Sequence, residues 1–136
     1  MFSYAIDPGS ALALARMRGT LTGEDMTAIV TAVHADPLWE PHFDAIWDCL
    51  AVRSHAISPR EFGPLMDATV QNRGGRDVLV ESRGLAESLF SKLLVFTARA
   101  KGEDAHAVHS MDDALRVLGH DALPARLAAV ALPELG

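Results

Sequence analysis

The sequence predicts an α/β sandwich: one mixed five-stranded sheet with helices packed on its faces, in the order ββαβαβαβα. Three observations carry this. First, strand-length apolar stretches give way three times to Ser/Thr-x-x-Asp/Glu, at Thr22-Gly23-Glu24-Asp25, Ser58-Pro59-Arg60-Glu61 and Ser110-Met111-Asp112-Asp113. In such a pattern the first side chain accepts from the free backbone N–H three residues on, and the acid reaches back to the cap's own N–H. Second, Phe43 to Val52 is apolar on both parities apart from Asp44 and Asp48, as in a strand covered on both faces. Third, 136 residues suffice for one domain with a real core and no need of disulfides or metal.

Half of the chain is apolar, which excludes a largely disordered protein. A net charge of −6 argues against a nucleic-acid partner, which would require a basic face. The lone Cys49 cannot form an intrachain bridge and is expected to be a buried, inert thiol. The start, Met1-Phe2-Ser3-Tyr4, lacks a basic n-region and apolar h-region, and no apolar run approaches membrane-spanning length. A cytoplasmic protein with no integral membrane association is expected.

The elements follow in order. Phe2 to Ile6 and Ala11 to Arg18 flank Asp7-Pro8-Gly9-Ser10 and predict a hairpin, with Gly9 taking positive φ and the Arg16/Arg18 end facing water. After the Thr22 cap, Met26, Ile29, Val30 and Val33 form a helical stripe that stops at Asp36-Pro37. The central strand comes next, and then a helix after Ser58 on Phe62, Leu65, Met66 and Val70. Pro64 implies that this helix either kinks or begins at Pro64. A strand at Asp77 to Glu81 leads to a helix starting near Ser82-Arg83-Gly84, with Leu85, Leu89, Leu93 and Phe96 on one face, ending at Lys101-Gly102. Ala105 to His109 is the fifth strand, and a short helix after Ser110 closes at Gly119. Residues 1–119 form the domain, and 120–136 are a tail containing a short packing helix after Pro124.

This order resembles the SpoIIAA-like branch of the STAS domains, the anti-sigma-factor antagonist type. The residues that carry the resemblance are Gly19-Thr20-Leu21-Thr22, Ala35-Asp36-Pro37, Ile46-Trp47-Asp48-Cys49-Leu50 and Met111-Asp112-Asp113-Ala114-Leu115. It covers roughly residues 2–119. The resemblance implies a bacterial, cytoplasmic, non-catalytic regulatory domain that binds a protein partner. It also makes Ser58 a candidate phosphosite, since in that family a serine at the start of the helix after the central strand is phosphorylated. There the motif reads Asp-Ser-Ser-Gly-Leu, whereas this chain has Ala56-Ile57-Ser58-Pro59-Arg60.

Asp48 is the one charge inside the most apolar part of the central strand, fit either for a base or ion ligand or for accepting from loop N–H groups or an arginine. In open α/β sheets ligands lie beyond the carboxyl ends of strands. Those ends carry Arg53, Ser54, His55 and Ser58, then Ser82 and Arg83, then His109 and Ser110, a set suited to an anion or a partner surface. The competing role for the hydroxyls is helix capping. The six histidines make no metal set, and there is no nucleophile elbow, P-loop or dinucleotide fingerprint, so no catalytic residue, metal or cofactor is expected. The alternative function is binding of a small apolar or anionic ligand, as in the similar SEC14 layout, with Phe62, Leu65, Met66, Leu89 and Phe90 lining a pocket. Self-association as a homodimer through the apolar tail is compatible with either.

Overall fold

The computed structural model describes residues 2–70, 74–86 and 90–134. Strand β1 (Phe2–Asp7) passes through a 3-10 turn to β2 (Leu12–Thr22), followed by α1 (Gly23–Ala35), β3 (Asp44–Ala56), α2 (Pro59–Val70) and β4 (Arg76–Glu81). Then come α3 (Arg83–Ala86), α4 (Phe90–Ala100), β5 (Asp104–Val108), α5 (Met111–Leu118) and α6 (Ala125–Ala128). The sheet order is β1-β2-β3-β4-β5, with β1 antiparallel to β2 and every other pair parallel. The mixed five-stranded sheet expected from the sequence is therefore present.

Each sheet face has its own core. Ala15, Met17, Trp47 and Leu79 pack with Ile29 and Val33 of α1, Met66 of α2 and Leu94 and Ala98 of α4. On the opposite face, Leu12, Leu14, Ile46, Val78 and Val80 pack under Ala114, Leu115 and Leu118 of α5 and under Leu127 of α6. β3 contributes to both, so its alternate residues are all removed from water from Ala45 to Cys49. A buried hydrogen bond from Trp47 Nε1 to Asp77 Oδ1 (3.0 Å) ties β3 to β4 on the first face. At the amino ends of the same strands Arg76 forks onto Asp44 (Nη2 to Oδ2 2.9 Å) and donates to the Val117 carbonyl (3.2 Å), which seats the end of α5.

Several local expectations are corrected. The hairpin turn places Pro8 in a 3-10 turn, and Ala11 rather than Gly9 takes the left-handed conformation (φ 50°). Arg16 and Arg18 do not simply face water: Arg16 lies 3.4 Å from Asp48, and Arg18 Nη1 donates to the Pro133 carbonyl (3.1 Å). α2 begins at Pro59 and continues through Pro64, so the helix does not start at the second proline. α4 turns Leu94 and Ala98 inward and leaves Leu93 and Phe96 exposed, at 54% and 71%. Its rotation is held at the carboxyl end, where Arg99 Nε donates to the Ala105 carbonyl (2.8 Å). Of the expected stripe, Leu89 and the Leu85 side chain lie outside the described residues.

Two caps form as the sequence pattern requires. Thr22 Oγ1 accepts from Asp25 N (3.0 Å) while Asp25 Oδ2 accepts from Thr22 N (3.1 Å), and Ser110 Oγ accepts from Asp113 N (3.0 Å). α5 ends at a left-handed Gly119, and His120 N closes onto Leu115 O (2.9 Å). The Thr22 N–H holds the Asp25 carboxyl below its ordinary range. Because the folded-state value is depressed, this contribution is present above the unfolded value of about 3.9 and is lost as pH falls through the folded one. Thr22→Ala is expected to cost about 1 kcal/mol in urea unfolding at neutral pH. Asp25→Asn should flatten the acid limb of the stability profile, measured as the unfolding midpoint against pH.

Candidate functional site

β3 is longer than the strands it pairs with on one side, and this creates the site. Its pairing with β4 runs from Ala45↔Asp77 to Cys49↔Glu81. Beyond Cys49, among the described residues, β3 is paired only with β2. That remaining ladder is irregular. Between the pairs Arg16↔Asp48 and Arg18↔Ala51, β3 advances three residues while β2 advances two; between Gly19↔Val52 and Thr20↔Ser54 it advances two while β2 advances one. β3 therefore bulges twice, first at Cys49-Leu50 and again at Arg53.

Each bulge reverses which residues face the core. Cys49 and Val52, of opposite parity, are both buried in the same cluster, while Leu50 is 43% exposed and Arg53 is exposed. The first bulge is braced by Asp48, whose Oδ1 accepts from Leu50 N (3.0 Å) and whose Oδ2 faces Arg16. Asp48 thus takes the second of its two anticipated roles, accepting from a backbone N–H and an arginine. Burial pushes the Cys49 thiol far above its ordinary value, and the Asp48 and Glu81 carboxylates add to the effect, so the thiol is neutral and shielded.

The strand-end residues separate into distinct groups. Arg53, Ser82 and Gly84 border one notch together with Arg18, Gly19 and Leu50. Arg83, first residue of α3, is exposed beside it. Ser54 lies on the β2 side, its Oγ 2.9 Å from Thr20 Oγ1, and half-buried His55 pairs with Leu21 in the ladder. Ser58 is exposed at the entry to α2, where its N–H donates to Glu61 Oε1 (2.9 Å) and keeps the Glu61 carboxyl below its ordinary range. Ser110 is occupied as the N-cap of α5, which covers the other sheet face, and exposed His109, just before it, has its Nδ1 3.4 Å from the Glu81 carbonyl at the end of β4. Arg18 and Leu50 are not in the strand-end set expected from the sequence, where Arg18 ends a hairpin strand and Leu50 reads as core in an unbroken β3.

Under α1, α2 and α4 lies an apolar cavity of about 60 Å³ whose lining includes Met17, Met26, Trp47, Met66, Leu79 and Leu94. Of the three described side chains expected to line a pocket, Phe62, Leu65 and Met66, only Met66 does so. Leu65 is buried and Phe62 half-buried, while Leu89 and the Phe90 side chain lie outside the described residues. Among the described residues no cluster of three His, Cys, Asp or Glu side chains is placed to hold a metal, and no helix is long and apolar enough to cross a membrane.

No family model and no curated protein matches the chain. Among solved structures it is similar to the anti-sigma factor antagonist SpoIIAA in its unphosphorylated form, with a TM-score of 0.52 over 88% of this chain and 98% of that one. The fold is SpoIIAA-like. At 11% identity the likeness establishes the STAS-type architecture and leaves the residue chemistry to this chain's own geometry.

Removing the brace of the first bulge should be measurable. Asp48→Ala leaves Leu50 N–H and the half-buried Arg16 guanidinium without their partner, and is expected to cost about 2 kcal/mol in urea unfolding. Asp48→Asn keeps the acceptor for Leu50 N–H and should cost less.

Proposed function

We propose that this chain is a non-catalytic, cytoplasmic regulatory domain of the STAS-like type that acts by binding a protein partner. The observation that carries the reading is the carboxyl half of β3, which outruns β4 and presents Arg53, Ser54, His55 and Ser58 in continuity with the start of α2. The SpoIIAA-like fold supports it. Most hydroxyls and carboxylates near the strand ends are committed to caps or bulges, which suits a surface that is read by a partner better than one that does chemistry.

In this reading Ser58 is the regulatory position. A phosphate on its exposed hydroxyl would add negative charge beside Glu61, whose carboxylate already accepts from Ser58 N–H. The two anionic groups would compete for one helix start, so modification would weaken the existing cap and change the surface. The test is affinity capture from a bacterial extract followed by hydrogen exchange on the isolated complex. Protection of residues 50–61, and loss of the complex with a Ser54→Ala/Ser58→Asp double variant, are expected. A complex that forms equally with that variant, or protection confined to other surfaces, would overturn the reading.

The cavity favours a second reading, a compact apolar ligand. Its volume of about 60 Å³ admits a molecule of few heavy atoms, and three methionines in its wall can shift to adapt. Xenon, small enough for this volume, applied under pressure and followed by thermal unfolding, should raise the midpoint in wild type and not in Ala98→Leu, which fills the void. An unchanged wild-type midpoint would end this reading.

A further inference from the structure

The bulged stretch of β3 has a shape and charge that specify the partner more closely. The notch opposite the end of β4 has Gly19 on one wall and Gly84 on the other, and a Cβ placed at either would meet nothing within 4 Å. Leu50 is the apolar group exposed in this notch, turned out by the first bulge. Arg53, which follows the buried Val52 and is the extra residue of the second bulge, is exposed, and Arg18 stands on the same wall as Gly19, oriented by its bond to the Pro133 carbonyl.

The charge of this region opposes that of the molecule. The chain carries a net −6, yet no carboxylate is among the described residues lining the notch, and Arg83 adds a further exposed guanidinium at its rim. No described carboxylate pairs with Arg53 or Arg83. An arginine left exposed in an acidic protein, beside an outward leucine, is a pairing typical of interface anchors, where a desolvated apolar contact is ringed by oriented charges.

We propose that this notch docks a segment of a partner protein in which one apolar side chain, seated on Leu50 between the two glycines, is flanked by carboxylates that pair with Arg53 and Arg83. The inference rests on the regulatory reading and names the chemistry of its partner. It places the anchor on the bulges, apart from the start of α2. The two bulges, which cost regular pairing with β2, have a use here: they expose a leucine and an arginine that an unbroken strand would have placed differently.

The experiment is a titration of isotopically labelled full chain, followed by amide chemical shifts, with a synthetic peptide of alternating leucine and glutamate. A peptide of alternating leucine and lysine serves as the control. Shifts confined to residues 18–19, 50–53 and 82–84 are expected with the acidic peptide only. Affinity should fall about tenfold in Arg53→Glu, and also on raising the salt, as expected for a charge-paired rim. Leu50→Ser, with the remaining spectrum unchanged, should abolish binding. Shifts centred on the exposed Leu93 and Phe96 of α4, equal binding of the lysine peptide, or an Arg53→Glu variant that binds as wild type would each overturn the proposal. So would concentration-dependent broadening of the notch without peptide, which would assign it to a second copy of this chain. A captured partner that protects residues 57–61 and leaves the notch unprotected would sink this inference while leaving the regulatory function standing.

Discussion

Burial of β3 on both faces is the constraint from which the remaining architecture follows. From Ala45 to Cys49 its side chains alternate between two separate cores, one under α1, α2 and α4 and the other under α5 and α6. Neither helical layer can be removed without exposing one row of that strand, and a strand buried on both sides needs neighbours on both edges to satisfy its backbone. β2 and β4 provide them. The Asp44–Arg76 fork and the Trp47–Asp77 bond hold the amino half of the pairing in place.

The same strand is released in its second half. β4 ends at Glu81, the β2 ladder slips twice, and the chain turns toward water before it leads into α2. A buried half and an exposed half are thereby divided along one strand. Asp48 stands at the boundary, a buried carboxylate whose partners are the Leu50 N–H and Arg16. Its chemistry is that of a brace, which explains a charge in an apolar run without invoking catalysis.

Capping was legible from short sequence patterns, because Thr22 with Asp25, and Ser110 with Asp113, need only three residues of spacing to meet. The stripe of α1 and the left-handed Gly119 were equally readable. The inner face of α4 was not. Leu93 and Phe96 are better hydrophobes than Ala98, but the helix is held by Arg99 on the Ala105 carbonyl, and Leu94 and Ala98 are the side chains turned to the sheet. Ala11 shows the same limit on a smaller scale: a turn beginning with Pro8-Gly9 invited positive φ at the glycine, and pairing of Asp7 with Leu12 moved it to the alanine.

What the sequence determined by itself was the alternation of strands and helices, the start and stop of most elements, and the two-sided burial of the central strand. These depend on neighbours within a few residues and on apolar period, both of which are written locally. The tertiary structure decided where β3 bulges, which side of α4 faces inward, and hence that Leu50 and Arg53 share a notch with Arg18 and Ser82. A bulge is a mismatch between the advance of two strands that lie some thirty residues apart in sequence, so no window along either strand contains it.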